Sequence, residues 1–483
     1  MSDDTEDDPR RWLTLAILIM ALVLVVLDNT VLNVAVPTMV RELHTSLASM
    51  RWVIAGYSLT FASLLVIGGR LGDLYGPRRM FMLGAALFGI GSALASVSTS
   101  VGVLILGESV IEGIGAALMM PASLSIISNT FKGSERGSAF AAWGATMGAG
   151  MAFGPVVGGY LTTYHSWRWA FRINVLVAPV AVLGAYLLVR HDAPGGRRER
   201  LDLPGAVLVA AGTFSLVFGI SESDRYGWTS AIVLTAFLVA VVGLSSFVLL
   251  ERRKEREGTS PLFEFGQLRH LRFRYGLVAQ IVLAMGQMGQ FFVMPVFLQD
   301  VRHLTPATNG LWMLPVGLSI VVFAQVGGRL TRVLGTTTLV RIGLVLNTVG
   351  LLGMAYMLQR DVTFLRLLVP FIVFGIGVGL ASSQLTNLIL SEIPADKAGV
   401  ASGANTTVRQ VGSALGVAVM GVVLASGPLH SSARLALLVA ATILGAGAAL
   451  AFLIPPDGRP VPDSELGRDL YDVLEPVDTH LLG

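Results

Sequence analysis

The sequence predicts an all-α integral membrane protein with fourteen transmembrane helices, and three observations predict it. Fourteen long apolar stretches fill most of the 483 residues, each near the roughly 20 residues that span a ~30 Å hydrocarbon core. The composition is 53% hydrophobic, with a mean hydropathy of +0.71. Charged residues make up only 13%, against about 25% in an average soluble chain.

Taken in order, the predicted spans are 12–36, 48–70, 80–98, 101–128, 138–163, 169–190, 203–221, 229–250, 272–298, 306–330, 336–358, 364–391, 397–426 and 433–455. The first run, Trp12 to Pro37, follows an acidic start (Asp3, Asp4, Glu6, Asp7, Asp8) and is too long for a signal-peptide apolar region. It reads as an uncleaved first span. Spans 3 and 4, and spans 13 and 14, are joined by tight connections near 99–101 and 426–432. The polar connections 190–202 and 251–271 bracket spans 7 and 8 and leave six spans on either side. The predicted domains are a tail at 1–11, a six-helix bundle at 12–190, a two-helix insertion at 191–256, a second six-helix bundle at 257–456 and an acidic tail at 457–483. A short repeat supports the division: Gly68-Gly69-Arg70-Leu71 precedes Gly76 as Gly327-Gly328-Arg329-Leu330 precedes Gly335. Two parallel six-helix repeats are a transporter architecture, with the substrate site at their interface near mid-membrane.

Orientation follows from the arginines and lysines of the short loops. With the amino terminus inside, inner segments collect 24 of the 34 basic residues and outer segments nine, while Arg409 lies within a span. Both termini are therefore expected in the cytoplasm, in a multi-pass inner (plasma) membrane protein. Trp12, Trp52, Trp167, Trp169 and Trp228 fall near span ends, where an interfacial aromatic belt would place them.

Composition excludes several chemistries. Without cysteine there is no disulfide, thiolate metal site or thiol nucleophile. The seven histidines are dispersed and lack metal-ligand spacing. The three lysines, Lys132, Lys254 and Lys397, sit in no G-x-x-x-x-G-K-[ST] loop, so ATP hydrolysis is not expected. The Gly375-Ile376-Gly377-Val378-Gly379 run lies inside an apolar span with no strand before it, which favours helix packing over dinucleotide binding. A net charge of +3 gives no warrant for nucleic-acid binding. No cofactor, metal, nucleotide or enzymatic activity is expected.

Ionisable groups inside a membrane are the sharper signal, because each costs at least ~2.5–3.5 kcal/mol at mid-depth. Asp28 lies 16 residues into span 1 from Trp12, about 24 Å of helix rise, towards the outer side. Glu108 and Glu112 are four residues apart in span 4 and share a face. Two carboxylates so placed in a low dielectric favour a shared proton, and Glu112 assisted by Glu108 is the expected protonation site. Asp28 could bind a proton or a cationic substrate. Arg409 is a candidate counter-ion or gating charge in span 13.

Polar side chains recur at helical spacing: Asn29 and Asn33 in span 1, Gln280, Gln287 and Gln290 in span 9, Gln384 and Asn387 in span 12. With Phe291 and Trp312 nearby, amides among adaptable apolar groups suit the lining of a permissive cavity. For any one of these amides, ordinary helix-to-helix hydrogen bonding is the alternative.

Several motifs carry a family likeness. The run Gly68 to Arg79, G-G-R-L-G-D-L-Y-G-P-R-R, resembles the loop signature between the second and third helices of the major facilitator superfamily. The fourteen-span drug:proton antiporter branch is resembled in three further places. These are Leu27-Asp28-Asn29-Thr30 onward to Pro37 in span 1, Gly144-x3-Gly148-x-Gly150-x3-Gly154-Pro155-x2-Gly158-Gly159 in span 5, and Trp167-Arg168-Trp169 with Ile173-Asn174 entering span 6. The resemblance implies the major facilitator fold, two six-helix bundles plus two extra central helices. It also implies a cytoplasmic gate built on Gly69, Arg70, Gly72, Asp73, Gly76, Arg78 and Arg79, in which Asp73 latches with Arg70 or Arg79. In span 5, Gly150, Gly154 and Gly158 recur every fourth residue, a bare stripe that admits a close helix, and Pro155 can kink the span. One departure stands out: where the family's span-4 motif carries an arginine before a Gln-Gly pair, this chain has Ser109, then Glu112 and Gly113.

The expected function is a proton-coupled secondary exporter, an antiporter of amphipathic drugs or antibiotics that works by alternating access as a monomer. Its partners would be a small amphipathic substrate, protons and the lipid bilayer. Three acids against one arginine lean towards cationic substrates. Export of a lipid or native metabolite is the alternative within transport, and a non-transporting membrane sensor the alternative outside it.

Overall fold

The computed structural model describes residues 10–131, 133–190, 202–257, 263, 265–391, 393 and 398–456. The predicted tail 457–483, residues 1–9 and the connection 191–201 lie outside the described residues. Among the described residues there are fourteen long helices and no strand. They are α1 (Arg11–Glu42), α2 (Leu47–Tyr75), α3 (Pro77–Ser96), α4 (Val101–Thr130), α5 (Gly133–Tyr164), α6 (Arg168–Leu188) and α7 (Leu203–Tyr226). The chain continues through α8 (Ala231–Arg256), α9 (Leu271–Asp300), α10 (Pro306–Leu334), α11 (Thr336–Met357), α12 (Phe364–Leu390), α13 (Ala398–Ala425) and α14 (Leu429–Ala451). Twelve of them are long and apolar enough to cross a membrane; α2 and α5, of 29 and 32 residues, complete the set of long helices.

Most helices overrun the apolar spans, because the chain stays helical past the hydrocarbon until a capping signal stops it. α1 continues to Glu42 and α2 to Tyr75. α2 and α10 end at Gly76 and Gly335, whose φ of 96° and 77° is open to glycine and costly for other residues. The repeated glycine is thus a repeated helix stop, and each is followed at once by the next helix. The end of the bundle holding Arg11, Tyr75 and Ala451 is termed the base, and the other end the crown. At the crown, Ser46, Ser100, Ser230 and Thr305 each accept a backbone N–H three residues on, capping α2, α4, α8 and α10.

Helices α1–α6 form one half and α9–α14 the other, with α7 lying against α2 of the first and α13 of the second. α8 packs outside α7. The Trp52 ring sits 5.9 and 5.6 Å from Phe214 and Phe218 of α7, and its Nε1 donates to Glu222 at 2.7 Å. Trp167 is fully buried and donates to Glu42 at 2.9 Å. Of the five tryptophans expected in an aromatic belt, Trp12, Trp169 and Trp228 are exposed, while Trp52 and Trp167 are engaged by neighbouring helices.

The contacts that join the halves gather at the crown. Gly159 has no room for a Cβ because Pro306 of α10 lies against it, and Gly310 is filled the same way by Pro155 of α5. The Ala307 amide donates to Thr163 Oγ1 at 2.8 Å. Gln299 Nε2 donates to the Val34 carbonyl at 2.7 Å, Arg41 pairs with Asp300 at 3.0 Å, and the Arg51 stem packs on Gly421 of α13. The apolar core tells the same story. At the crown one cluster runs through both halves, from Val36 and Met50 to Phe297 and Leu424, and it continues down the second half to Leu388 and Ala451. Towards the base it divides: Leu22, Phe61, Phe88 and Ile126 belong to a core of the first half alone, and Phe273, Leu277 and Ile389 to one of the second. The halves are thus sealed together at the crown and have separate cores at the base.

Candidate functional site

The site is an acidic cluster inside the first half. One carboxylate oxygen each of Asp28 (α1), Glu108 and Glu112 (α4) lies within 4.8 Å of the others, and all three residues are at most 2% exposed. Sequence spacing paired the two glutamates; the fold adds Asp28 to them. Asn174 of α6 donates its Nδ2 to Asp28 Oδ1 at 3.3 Å. Beyond Asn174, the polar groups nearest the three acids among the described residues are one another and Ser92 of α3, which bonds Glu112. Three carboxylates this close and this dry cannot all carry charge without a cation. The arrangement suits groups that share, gain and lose protons.

Local structure holds the cluster shut. α4 departs from α-helical bonding over Ile105–Glu112, where it is π-helical, and both glutamates sit in that stretch. π-helical segments are rare and frequent at functional sites. A Cβ on Gly91 of α3 would meet the Gly107 carbonyl and Glu112 Cγ, each at 2.6 Å, so the absence of side chains lets α3 and α4 touch. Ser109, where the family resemblance calls for arginine, turns to α2 and donates to the carbonyl of Val53 at 2.9 Å. The position serves helix packing in this chain.

The other predicted residues scatter. Arg409 of α13 is half-buried, and among the described residues its guanidinium has no ion pair or hydrogen bond. The carboxylate it was expected to offset is not beside it. Asn33, Gln280, Gln287, Gln290 and Phe291 are buried, and Gln290 is wholly so. Trp312 packs against Phe364 at 5.6 Å. Gln384 accepts from Thr331 at 2.9 Å and from Asn387, at 3.4 Å, within the second half. Asn387 is exposed. The side chain of Asn29 lies outside the described residues, as do those of Arg70 and Asp73 of the expected gate and the sites of Gly144 and Gly148.

Of the remaining gate residues, Gly69 faces Pro121 of α4 at ordinary contact distance, while nothing stands close to Gly72. Arg79 is exposed. Arg78 is buried and donates from Nε to the Ala185 carbonyl at 3.3 Å and to that of Tyr186, whose ring it covers at 5.3 Å. It ties α3 to α6 within one half. Arg341 does the same in the other half, reaching the carbonyls of Ala451 and Ile454 at 3.1 and 2.6 Å. The glycine stripe of α5 also has a partner inside its own half: Gly150, Gly154 and Gly158 are filled by Val26, Thr30 and Val31 of α1. The neighbouring face, with Pro155 and Gly159, meets the other half.

Sequence reasoning passed over Asn174 as the partner of Asp28, Gln299 as a bond between halves, and Arg51, 1% exposed against α13. Asn174 stood within a quoted motif, but no spacing rule links residues on α1 and α6.

Known proteins add to this geometry. The profile of the Major Facilitator Superfamily matches residues 18–220 and again 203–417. The puromycin resistance protein pur8 of Streptomyces alboniger is 36% identical over 86% of this chain and 82% of its own length. The tetracenomycin C resistance and export protein of Streptomyces glaucescens is 32% identical over 88% and 80%. The multidrug efflux pump LfrA of Mycolicibacterium smegmatis is 32% identical over 87% and 82%. Among solved structures, a POT family transporter in complex with 5-aminolevulinic acid superposes with a TM-score of 0.69 over 91% of this chain and 96% of that one, at 13% identity. The peptide transporter POT in complex with sulfate gives 0.67 over 91% and 93%, at 16% identity. At such identities the likeness is one of fold alone.

Proposed function

The chain belongs to the Major Facilitator Superfamily, and on that premise we propose that it is a proton-coupled exporter of amphipathic drugs or antibiotics in the bacterial plasma membrane. The relatives named for resistance and export to puromycin, tetracenomycin C and multiple drugs support the cargo. The observation that carries the coupling is the convergence of buried Asp28, Glu108 and Glu112 within 4.8 Å, with no arginine or lysine paired to them among the described residues. Proton entry gains about 2.3 kcal/mol per 100 mV of potential and about 1.4 per pH unit.

The excess of arginine and lysine in the loops at the base supports a cytoplasmic base, and with it cytoplasmic termini. The conformation is then inward-facing: sealed outside by Gly159, Gly310, Thr163 and Gln299, with separate cores inside. Alternating access requires that seal to break while the base closes. Closure would bring the loop from Gly69 to Arg79 against the second half, with Arg78 as the strut that keeps α3 and α6 together while it moves. Cargo would bind between the halves, near Gln280 and Gln287. The protein acts as a monomer, without cofactor, nucleotide or nucleic-acid partner and without enzymatic chemistry.

The test is efflux of a fluorescent dye from cells expressing the protein, with and without a protonophore. Efflux that collapses on adding the protonophore is the expected result. Efflux that persists removes the proton from the account, and no efflux in either condition favours a non-transporting role.

A further inference from the structure

The charges that could meet a substrate are not the ones that composition counts. By composition, three membrane acids outweigh one arginine and point to cationic cargo. In the folded chain the three acids turn away from the space between the halves. Asp28 faces Asn174 of α6, Glu112 lies against Gly91 of α3, and all three are at most 2% exposed. Both α3 and α6 pack on the first half alone. The acids are therefore walled inside that half, available to protons through its conformational changes but not to a drug-sized cation.

Arg409 is placed differently. Three residues further along α13, Gly412 meets Ile281 of α9; twelve residues along, Gly421 meets Arg51 of α2 across the two halves. At about 100° per residue, Arg409 projects some 60° round from the first contact and about 120° from the second. It lies on a helix that packs on α9 and α12 of its own half and on α2 of the other, at a level some 18 Å nearer the base than the crown seal. That is where the two cores have separated. It is half-buried, and among the described residues nothing neutralises it. A cation in that position is expensive unless it has a function or a partner.

We propose that Arg409 is the substrate-charge site of this exporter, and that its cargo is an amphipathic anion bearing a carboxylate, enolate or phenolate. The guanidinium is suited to such a group, offering a planar fork of donors that binds two oxygens at once. The energetics agree. Export of a monoanion against entry of one proton moves two charges in the favourable direction, whereas a monocation exchanged for one proton moves none. One proton then suffices, and the sequestered acids need carry no cargo.

This rests on the export reading above, and the experiment separates the two. Fluorescein and rhodamine 123 share a tricyclic scaffold and differ in charge sign near neutral pH. Their binding to the purified full-length protein is measured by fluorescence polarisation, and their transport in proteoliposomes under an imposed pH gradient. The wild type is expected to bind fluorescein more tightly than rhodamine 123. Arg409→Gln should weaken fluorescein binding at least tenfold and leave rhodamine 123 within twofold, which also shows that the variant is folded. Arg409→Lys should recover part of the loss. An inside-negative potential should speed fluorescein export in the wild type. Tighter binding of rhodamine 123 by the wild type, or unchanged fluorescein binding in Arg409→Gln, overturns the proposal. If rhodamine 123 is then still exported in a protonophore-sensitive way, the export reading stands without it. If neither dye binds or moves, both fall.

Discussion

Asn174 distinguishes the members of the acidic cluster, because it donates to Asp28 and to neither glutamate. Glu112 takes its neutral partner from a different helix, Ser92 of α3, so the cluster is held from two sides. Glu112→Gln and Asp28→Asn keep shape and remove the exchangeable proton. Each is expected to cut pH-driven dye transport at least about tenfold, equivalent to 1.4 kcal/mol or more in the limiting step, while the protein still elutes as a folded species in detergent. Unchanged initial rates in reconstituted vesicles would remove the cluster from the mechanism. Arg78 and Arg79 form a second residue-scale contrast. Buried Arg78 holds two carbonyls of α6, while Arg79 is exposed. Arg78→Ala should lower the unfolding free energy by about 1.5–3 kcal/mol, the worth of hydrogen bonds to a charged group, read as a lower thermal midpoint in detergent. Adjacent arginines that read alike in a loop motif do different work once folded.

At the scale of elements, the α7–α8 hairpin has its own anchor at the base. Asp202 caps α7 through the Gly205 amide at 3.0 Å and pairs with Lys254, which also reaches Glu251 at 3.2 Å. Glu251 in turn accepts from the Phe263 amide at 3.1 Å, tying the hairpin to the chain that leads into α9. Burial works to raise the Asp202 pKa, but hydrogen bonds from Glu251, Lys254 and Gly205 and the lysine's charge prevail and hold it below its usual 3.8. A carboxyl with a lowered pKa stabilises the fold above its unfolded value and loses that contribution only as pH falls through the folded one. Asp202→Asn should therefore lower the unfolding free energy by the same amount at pH 7 and pH 5, about 1–2 kcal/mol. The gap to wild type should close only below the ordinary aspartate range. A gap already gone at pH 5 would contradict the assignment.

Helix existence was readable throughout, since hydropathy and capping residues are local properties. What each helix touches was not. α7 reads as one more apolar span, yet Trp52 and Glu222 fasten it to α2 while it also borders α13. The α5 stripe showed that some helix comes close without showing that α1 is that helix. The π-helical turn at Ile105–Glu112 left no mark in the spacing, because residues four apart share a face in either form of helix.

On the scale of the whole molecule, the repeat of Gly68–Gly76 and Gly327–Gly335 announced two halves, and the paired struts Arg78 and Arg341 show how far the likeness extends. The conformational state was invisible in sequence, because opening and closing exchange one set of contacts for another with no change in hydropathy. The contacts at the crown make the state testable. Thr163 and Ala307 approach closely enough for a side chain-to-amide bond of 2.8 Å, so cysteines at both positions are near the separation a disulfide needs. The chain has no cysteine of its own, so such a bond would be the only one it could form. Oxidised Thr163→Cys/Ala307→Cys should hold the crown shut and reduce transport at least about tenfold, with dithiothreitol restoring it. Each single variant should transport as the wild type does under both conditions. A fully cross-linked protein that exports at the wild-type rate would mean that the crown need not part, and alternating access by separation of α5 from α10 would have to be abandoned.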